Sequence, residues 1–281
     1  MKRIILSTLV LLLLAACSKP QPQKVEVPKR QGWHPSLPTL IGDVASVTIT
    51  EYYPIEELGE IAKAFESRTE YKFNKRGDVV EQISYDSDNS VLNRCLYTYN
   101  SEHRMTQNAW YKQNGELDWN TQYIYDKHGI LVEDIDYNGD GSIRGRSRFG
   151  YNSDGKRTEE QSYNGEDILQ WRVLLKYNAN GNLVEDAAYW TYGELDYRNL
   201  YRYDSEGRLF EEFEESCNSP MKRNTYKYDS EGRIIEKRIY TEGEPTALEL
   251  NYHYDSMGNV VKIAPSTPNS IISEFEVAYR K

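Results

Sequence analysis

One phrase, Tyr-Arg-Tyr-Asp-Ser-Glu-Gly-Arg-Leu at positions 201–209, returns in degraded form from Tyr71 to Val260. With its second ring as the anchor, the copies fall at Phe73, Tyr99, Tyr125, Tyr151, Tyr177, Tyr203, Tyr228 and Tyr254, 26 residues apart except for one interval of 25. Self-similarity at a fixed period restricts the chain to stacked copies of one supersecondary unit, each unable to bury its apolar face without its neighbours. Whatever this chain folds into must be built from about eight equivalent pieces.

Each piece reads as two strands. A ring or Leu stands two residues before every anchor (Tyr71, Tyr97, Tyr123, Phe149, Leu175, Tyr201, Tyr226, Tyr252), and residues at i and i+2 share one face of a strand. Asn or Asp follows every anchor, and Gly stands three residues beyond it in seven of the eight copies, with His103 in the other. Asx-x-x-Gly is the chemistry of a type I turn closed by a residue of positive φ, so His103 predicts local strain. A returning strand such as Ile130–Tyr137 and a second turn such as Gln113-Asn114-Gly115-Glu116 complete the unit.

The simplest register sets Tyr125 against Leu131, Tyr123 against Glu133 and Trp119 against Tyr137, and likewise Tyr203 against Leu209, Tyr201 against Glu211 and Trp171 near Tyr189 or Tyr163. That register gives an aromatic face carrying a Glu column (Glu81, Glu133, Glu159, Glu185, Glu211, Glu236). It leaves an opposite face of Lys176, Arg202, Lys227, Asp134, Glu160, Asp186 and Glu212. Ser46–Tyr53 and Ala62–Asn74 read as a starting hairpin that caps the array, with a loop or short turn at 54–59, and Ile271–Tyr279 as a closing strand. The expected fold class is all-β: an antiparallel meander of about eight two-stranded 26-residue repeats forming a curled or spiral β-sheet, since wide sheets twist and curl. A flat single-layer sheet is the alternative.

The aromatic supply suits such a face: 24 Tyr against six Phe and five Trp. The leader carries a different message. Lys2 and Arg3 precede an apolar stretch, Ile4–Leu14, of signal-peptide length and too short to span a membrane, and Leu-Ala-Ala-Cys follows at 14–17. Small residues before a Cys resemble the bacterial lipoprotein signal, which implies lipidation at Cys17 and cleavage before it. Three segments follow from this: 1–16 a cleaved signal peptide, 17–45 a lipidated Cys with a Pro-rich tether on which Trp33 and Leu40-Ile41 are placed to dock, and 46–281 the repeat domain. Ser18 after the Cys and the absence of an acidic run point, by the same resemblance, to the outer membrane, on its periplasmic or surface face. Without Lys2 and Arg3, 32 basic residues face 44 acidic ones, a net charge of −12, which excludes nucleic acid as a partner. Cys95 and Cys217 lie several repeats apart and read as free thiols, with a disulfide as the alternative in an exported compartment.

The phrases Tyr201–Leu209, Tyr226–Ile234 and Tyr123–Leu131 resemble the YD-repeat, or rearrangement-hotspot (RHS), family, and the resemblance covers Tyr71 to about Ile263. It implies a spiralling β-sheet and an exported, surface-associated setting. The longer period here, and the lack of the family's Asp-Pro-containing segment, separate the chain from toxin delivery. Second turns such as Tyr111–Leu117 are also similar to those of MORN-type repeats.

Residues able to carry chemistry are few. Asp136, Asn138 and Asp140 mimic the start of a calcium loop, but Ser147 occupies the position of the bidentate acid and Gly141 is explained by the repeat. His34, His103, His128 and His253 form no triad or metal pair, and no cofactor motif is present. The reading is therefore a non-enzyme: a lipid-anchored envelope scaffold or protein-interaction module. The alternative is a glycan- or peptidoglycan-binding protein that stacks sugars on Trp110, Trp119, Trp171 and Trp190.

Overall fold

The structure, a computed structural model, describes residues 37–57, 60–267 and 270–280. Eighteen strands follow one another: β1 (Val44–Glu57), β2 (Glu60–Phe73), β3 (Val79–Tyr85), β4 (Val91–Tyr99), β5 (Met105–Lys112), β6 (Leu117–Tyr125), β7 (Leu131–Asn138), β8 (Ile143–Tyr151) and β9 (Arg157–Asn164) make the first half. The second half is β10 (Leu169–Tyr177), β11 (Leu183–Trp190), β12 (Leu195–Tyr203), β13 (Leu209–Ser216), β14 (Ser219–Tyr228), β15 (Ile234–Thr241), β16 (Leu248–Tyr254), β17 (Val260–Pro265) and β18 (Ile272–Tyr279). Every strand pairs antiparallel with its neighbours in sequence, and there is no helix among the described residues.

The expected meander is present, but it neither spirals nor stays open: β18 pairs with β1 and closes the sheet into a barrel. The starting hairpin is therefore not a cap but one side of the seam. Val47 stands opposite Val277 and Ile49 opposite Phe275. Around them Leu40, Val44, Tyr71, Phe73, Val79, Cys95, Tyr97 and Val260 form the largest apolar cluster. Closure removes the open edges that a long meander would expose. Apolar side chains on the two terminal strands supply the driving force. The strand also starts earlier than the sequence suggested, at Val44. Ile41 exchanges backbone hydrogen bonds with the Asn259 side chain, donating to Oδ1 (2.6 Å) and accepting from Nδ2 (2.9 Å). Arg280 adds a clasp, pairing with Asp43 and donating to the carbonyls of Phe73 and Asn74 (2.6 Å for the latter).

Antiparallel connectivity sorts the turns. The Asx-x-x-Gly turns that follow the anchor residues all lie on one rim, beside Ile41; this is the proximal rim. The second turns lie on the other, distal rim. At the proximal rim the expected turn forms each time: Asp126 Oδ1 accepts from the amides of His128 (2.8 Å) and Ile130 (2.9 Å), and Gly129 has φ +80°. His103 takes the same left-handed conformation at φ +63°, with Nδ1 3.3 Å from Asp78 Oδ2.

Beyond each turn the register departs from expectation. Tyr125 faces Leu131 and Tyr203 faces Leu209 as expected, but Ile124 faces Glu133, Tyr123 faces Asp134, and Trp119 faces Asn138. Tyr201 faces Glu212, and Trp171 faces Trp190. One extra residue, such as Val132, bulges out after the first pair, and because side chains alternate with period two, that single slip exchanges the faces of everything beyond it. The Glu column thus lies outside, and Asp134, Glu160, Asp186 and Glu212 lie inside with the tyrosines.

The anchor tyrosines stitch successive turns together. Tyr99, Tyr125, Tyr151, Tyr177, Tyr203, Tyr228 and Tyr254 each donate from the hydroxyl to a carbonyl 19 or 20 residues back: Val79, Met105, Leu131, Arg157, Leu183, Leu209 and Ile234, at 2.5–2.8 Å. Each acceptor is the first residue of the preceding returning strand. The cation after the turn glycine lies over the next anchor ring, as in Arg208 on Tyr228 (5.1 Å) and Arg233 on Tyr254 (4.8 Å). Replacing Tyr125 or Tyr228 by Phe should cost about 1 kcal/mol each, and about 2 kcal/mol together because the sites, bonded to Met105 and Leu209, share no partner, as read by urea unfolding. His103→Gly should gain about 0.5–1 kcal/mol by relieving the left-handed backbone.

Candidate functional site

The inner wall holds the chemistry that the sequence register had turned outward. Asp186 is fully buried and accepts from the Tyr201 hydroxyl (2.5 Å) and Asn199 Nδ2 (3.1 Å). Glu212, also fully buried, accepts from the Tyr226 hydroxyl (2.7 Å) and Asn224 Nδ2 (3.0 Å). Asp136 accepts from the Thr121 hydroxyl (2.6 Å), and Asp134 from the Ser147 amide (3.2 Å). Burial raises all of these acids. It carries Asp134 to about 7, with the carboxylates of Asp136 and Glu160 adding to the shift. Asp186 rises to about 6, its hydrogen bonds only partly opposing burial. Glu160 and Glu212 rise for the same reason, and burial lowers Lys237, whose ammonium lies over the Tyr226 ring (5.5 Å).

The outer wall is a belt of ion pairs. Glu81 binds Lys72 and Arg94 (2.6 Å each), Glu185 binds Lys176 (3.0 Å) and Arg198 (3.4 Å), and Glu211 binds Arg202 (2.7 Å) and Arg223 (3.4 Å). Glu236 binds Lys227 (2.7 Å) and Arg238 (2.8 Å). Burial alone would raise Glu81, but Lys72 and Arg94 outweigh it and hold the carboxyl below its usual range.

The tryptophans named from sequence gather toward the distal end. Trp110 and Trp119 are half-buried and stack on one another, with ring centroids 5.6 Å apart. Trp171 packs against the Val173, Leu175 and Ala188 cluster of the inner wall, while its cross-strand partner Trp190 is exposed. Asp136, Asn138 and Asp140 do not converge. Asp136 is engaged with Thr121, whereas Asn138 and Asp140 hold Ser142 within the turn. No three His, Cys, Asp or Glu side chains among the described residues are grouped to hold a metal. Cys95 is buried and free, pushed up to about 12 by burial, and Cys217 is exposed and free. Cys17, Trp33, His34 and the signal segment lie outside the described residues. The inner acids were missed because the bulge was; applying it in every hairpin would have placed them inside.

These groups give stability a pH optimum. Asp134, with a folded value of about 7 against an ordinary 3.8, keeps a proton in the folded state that the unfolded chain releases. Stability therefore falls as pH rises from about 4 to about 7, and stays low above. The contribution of Glu81 has the opposite sign and is lost as pH falls through its lowered value. Thermal unfolding should show a higher Tm at pH 5 than at pH 8. Asp134→Asn should raise stability at pH 8 by on the order of 2 kcal/mol and flatten the profile; an unchanged profile would remove Asp134 as the cause.

A family model described only as "Uncharacterised protein" matches residues 168–247. No curated protein matches the sequence. Among solved structures the chain is similar to a porin-like protein from Bacteroides uniformis, with 9% identity, 83% of this chain and 97% of that one covered, and a TM-score of 0.47. It is also similar to a TcdB2–TccC3 structure (10% identity, 83% and 16% covered, TM-score 0.35) and to a LolA superfamily protein from Nitrosomonas europaea (11%, 85% and 87%, 0.20). All three scores lie below 0.5, and no function is transferred from them.

Proposed function

We propose that this chain is a lipid-anchored envelope protein of the outer membrane whose barrel stands in water beside the bilayer and serves as a non-catalytic protein-interaction scaffold. The outer wall carries this reading. A barrel that crosses a membrane presents an apolar band to lipid, and here the mid-strand positions hold Glu81, Glu185, Glu211 and Glu236 with their lysines and arginines. A charged wall of this kind belongs in water, so attachment falls to Cys17 in the lipoprotein-like leader. The chain enters the barrel at the proximal rim, beside Asn259; on this reading the tether leaves from that rim and the distal rim faces away from the anchor.

Cys17→Ala separates a tethered barrel from an inserted one. Metabolic labelling with a clickable fatty acid should mark the wild type and not the variant, and the folded variant should leave the membrane fraction. Retention of the variant after carbonate washing would place the barrel in the bilayer and overturn the proposal.

A further inference from the structure

At one corner of the distal rim the β9–β10 and β11–β12 turns are joined. The Thr191 hydroxyl donates to the carbonyls of Leu169 (2.7 Å) and Gln170 (2.9 Å), and its amide donates to Gln170 (3.2 Å). The joint brings the turn carrying Trp190 and Tyr192, the residues on either side of Thr191, up to the end of the turn that carries Ile168; these three are 45%, 93% and 53% exposed. Each would lower its free energy by leaving water, and nothing among the described residues covers them. Trp171 lies directly opposite Trp190 on the same, inward face and continues the aromatic surface from the rim into the mouth of the barrel.

The border of the patch is anionic. Glu166 and Glu194 flank it, both exposed and neither carrying a hydrogen bond or ion pair on its side chain. They differ from the outer-wall glutamates Glu81, Glu133, Glu185, Glu211 and Glu236, which are held by lysine or arginine. Asp167 adds a third carboxylate, shared with Arg146 (3.4 Å) and Arg148 (3.6 Å). An apolar aromatic centre with unneutralised carboxylates at its margin complements a surface of opposite pattern.

We propose that this corner is a docking surface for a cationic polypeptide segment in which lysine or arginine alternates with aromatic or aliphatic residues. The proposal rests on the reading of the barrel as a tethered interaction scaffold and supplies the chemistry of its partner. Trp190 and Tyr192 take the apolar side chains and offer ring faces to the cations, while Glu166 and Glu194 pair with the charges. The net −12 of the chain without Lys2 and Arg3 adds long-range attraction for such a partner.

The test uses the folded barrel and a fluorescein-labelled (Lys-Leu-Lys-Trp)₃ peptide, with (Glu-Leu-Glu-Trp)₃ and chitohexaose as competitors. Fluorescence anisotropy should show binding of the basic peptide that weakens with salt. Trp190→Ala with Tyr192→Ala, and separately Glu166→Gln with Glu194→Gln, should each weaken it about tenfold. Glu116→Gln with Glu244→Gln, on the same rim away from the patch, should leave it unchanged. Equal loss in that control would mean nonspecific charge attraction and overturn the proposal, as would unaltered binding in the patch variants or displacement by chitohexaose, which would mark a glycan site. All of these substitutions are at exposed positions, and circular dichroism checks that the fold survives. Failure here leaves the acylation result at Cys17 standing, so the anchor and the docking surface are judged separately.

Discussion

A tyrosine hydroxyl resting on a carbonyl at the end of a neighbouring ladder holds this wall together. Backbone pairing joins each strand to the next, but at the proximal rim successive turns belong to different hairpins and share no ladder. The anchor ring crosses that gap, as Tyr125 does to Met105 and Tyr254 does to Ile234. The bond satisfies an acceptor beyond the last ladder pair, and the ring covers the joint with apolar area. Phenylalanine could fill the same space but could not make the bond, which explains why the repeat relies on tyrosine. At the last hairpin the pattern passes to Tyr279, whose hydroxyl meets Asn259 (2.6 Å) and Asp255 (3.0 Å), so the lacing continues to the seam.

The inner wall departs from an ordinary core. A barrel of this many strands has more interior surface than aliphatic side chains usually fill, and here tyrosines from one strand meet acids from the one before. Asp186 with Tyr201 and Glu212 with Tyr226 repeat one arrangement a period apart. Each carboxylate is costly to bury and is compensated by a hydroxyl and an amide. Asp134 shows what happens when other acids stand close: Ser147 supports it through both side chain and amide, but burial and the carboxylates of Asp136 and Glu160 prevail, and it holds its proton nearly to neutrality. The outer wall runs the opposite logic, with Glu81, Glu185, Glu211 and Glu236 each set between two cations.

The repeat, the turn chemistry, the strand order and the closing role of 271–279 were legible in the sequence because each rests on local spacing. The left-handed residue at His103 was legible for the same reason. Closure was not: whether Ile49 meets Phe275 depends on the curvature accumulated over the whole meander, which no single repeat records. The bulge at Val132 and its equivalents was hidden for a different reason. Bulged and unbulged hairpins share the same turn residues, and only the accumulated parity of side chains across the sheet distinguishes them. From that one residue followed the exchange of Glu133 and Asp134 between faces, and with it the location of the buried acids. At the distal rim, the Trp positions were visible, while the Thr191 joint that brings Ile168, Trp190 and Tyr192 together came only with the structure.

Closure by an antiparallel seam also governs how such a chain can change in size. Because β1 and β18 run in opposite directions, both ends of the barrel leave from the same rim, and the count of strands must stay even. One whole repeat adds two strands, lengthens the circumference by about 10 Å and preserves the seam. A single extra strand would set the seam parallel and send one terminus to the far rim. Barrel girth in this architecture is therefore quantised in units of the 26-residue phrase, and duplication or loss of a whole repeat resizes the ring without redesigning its lock.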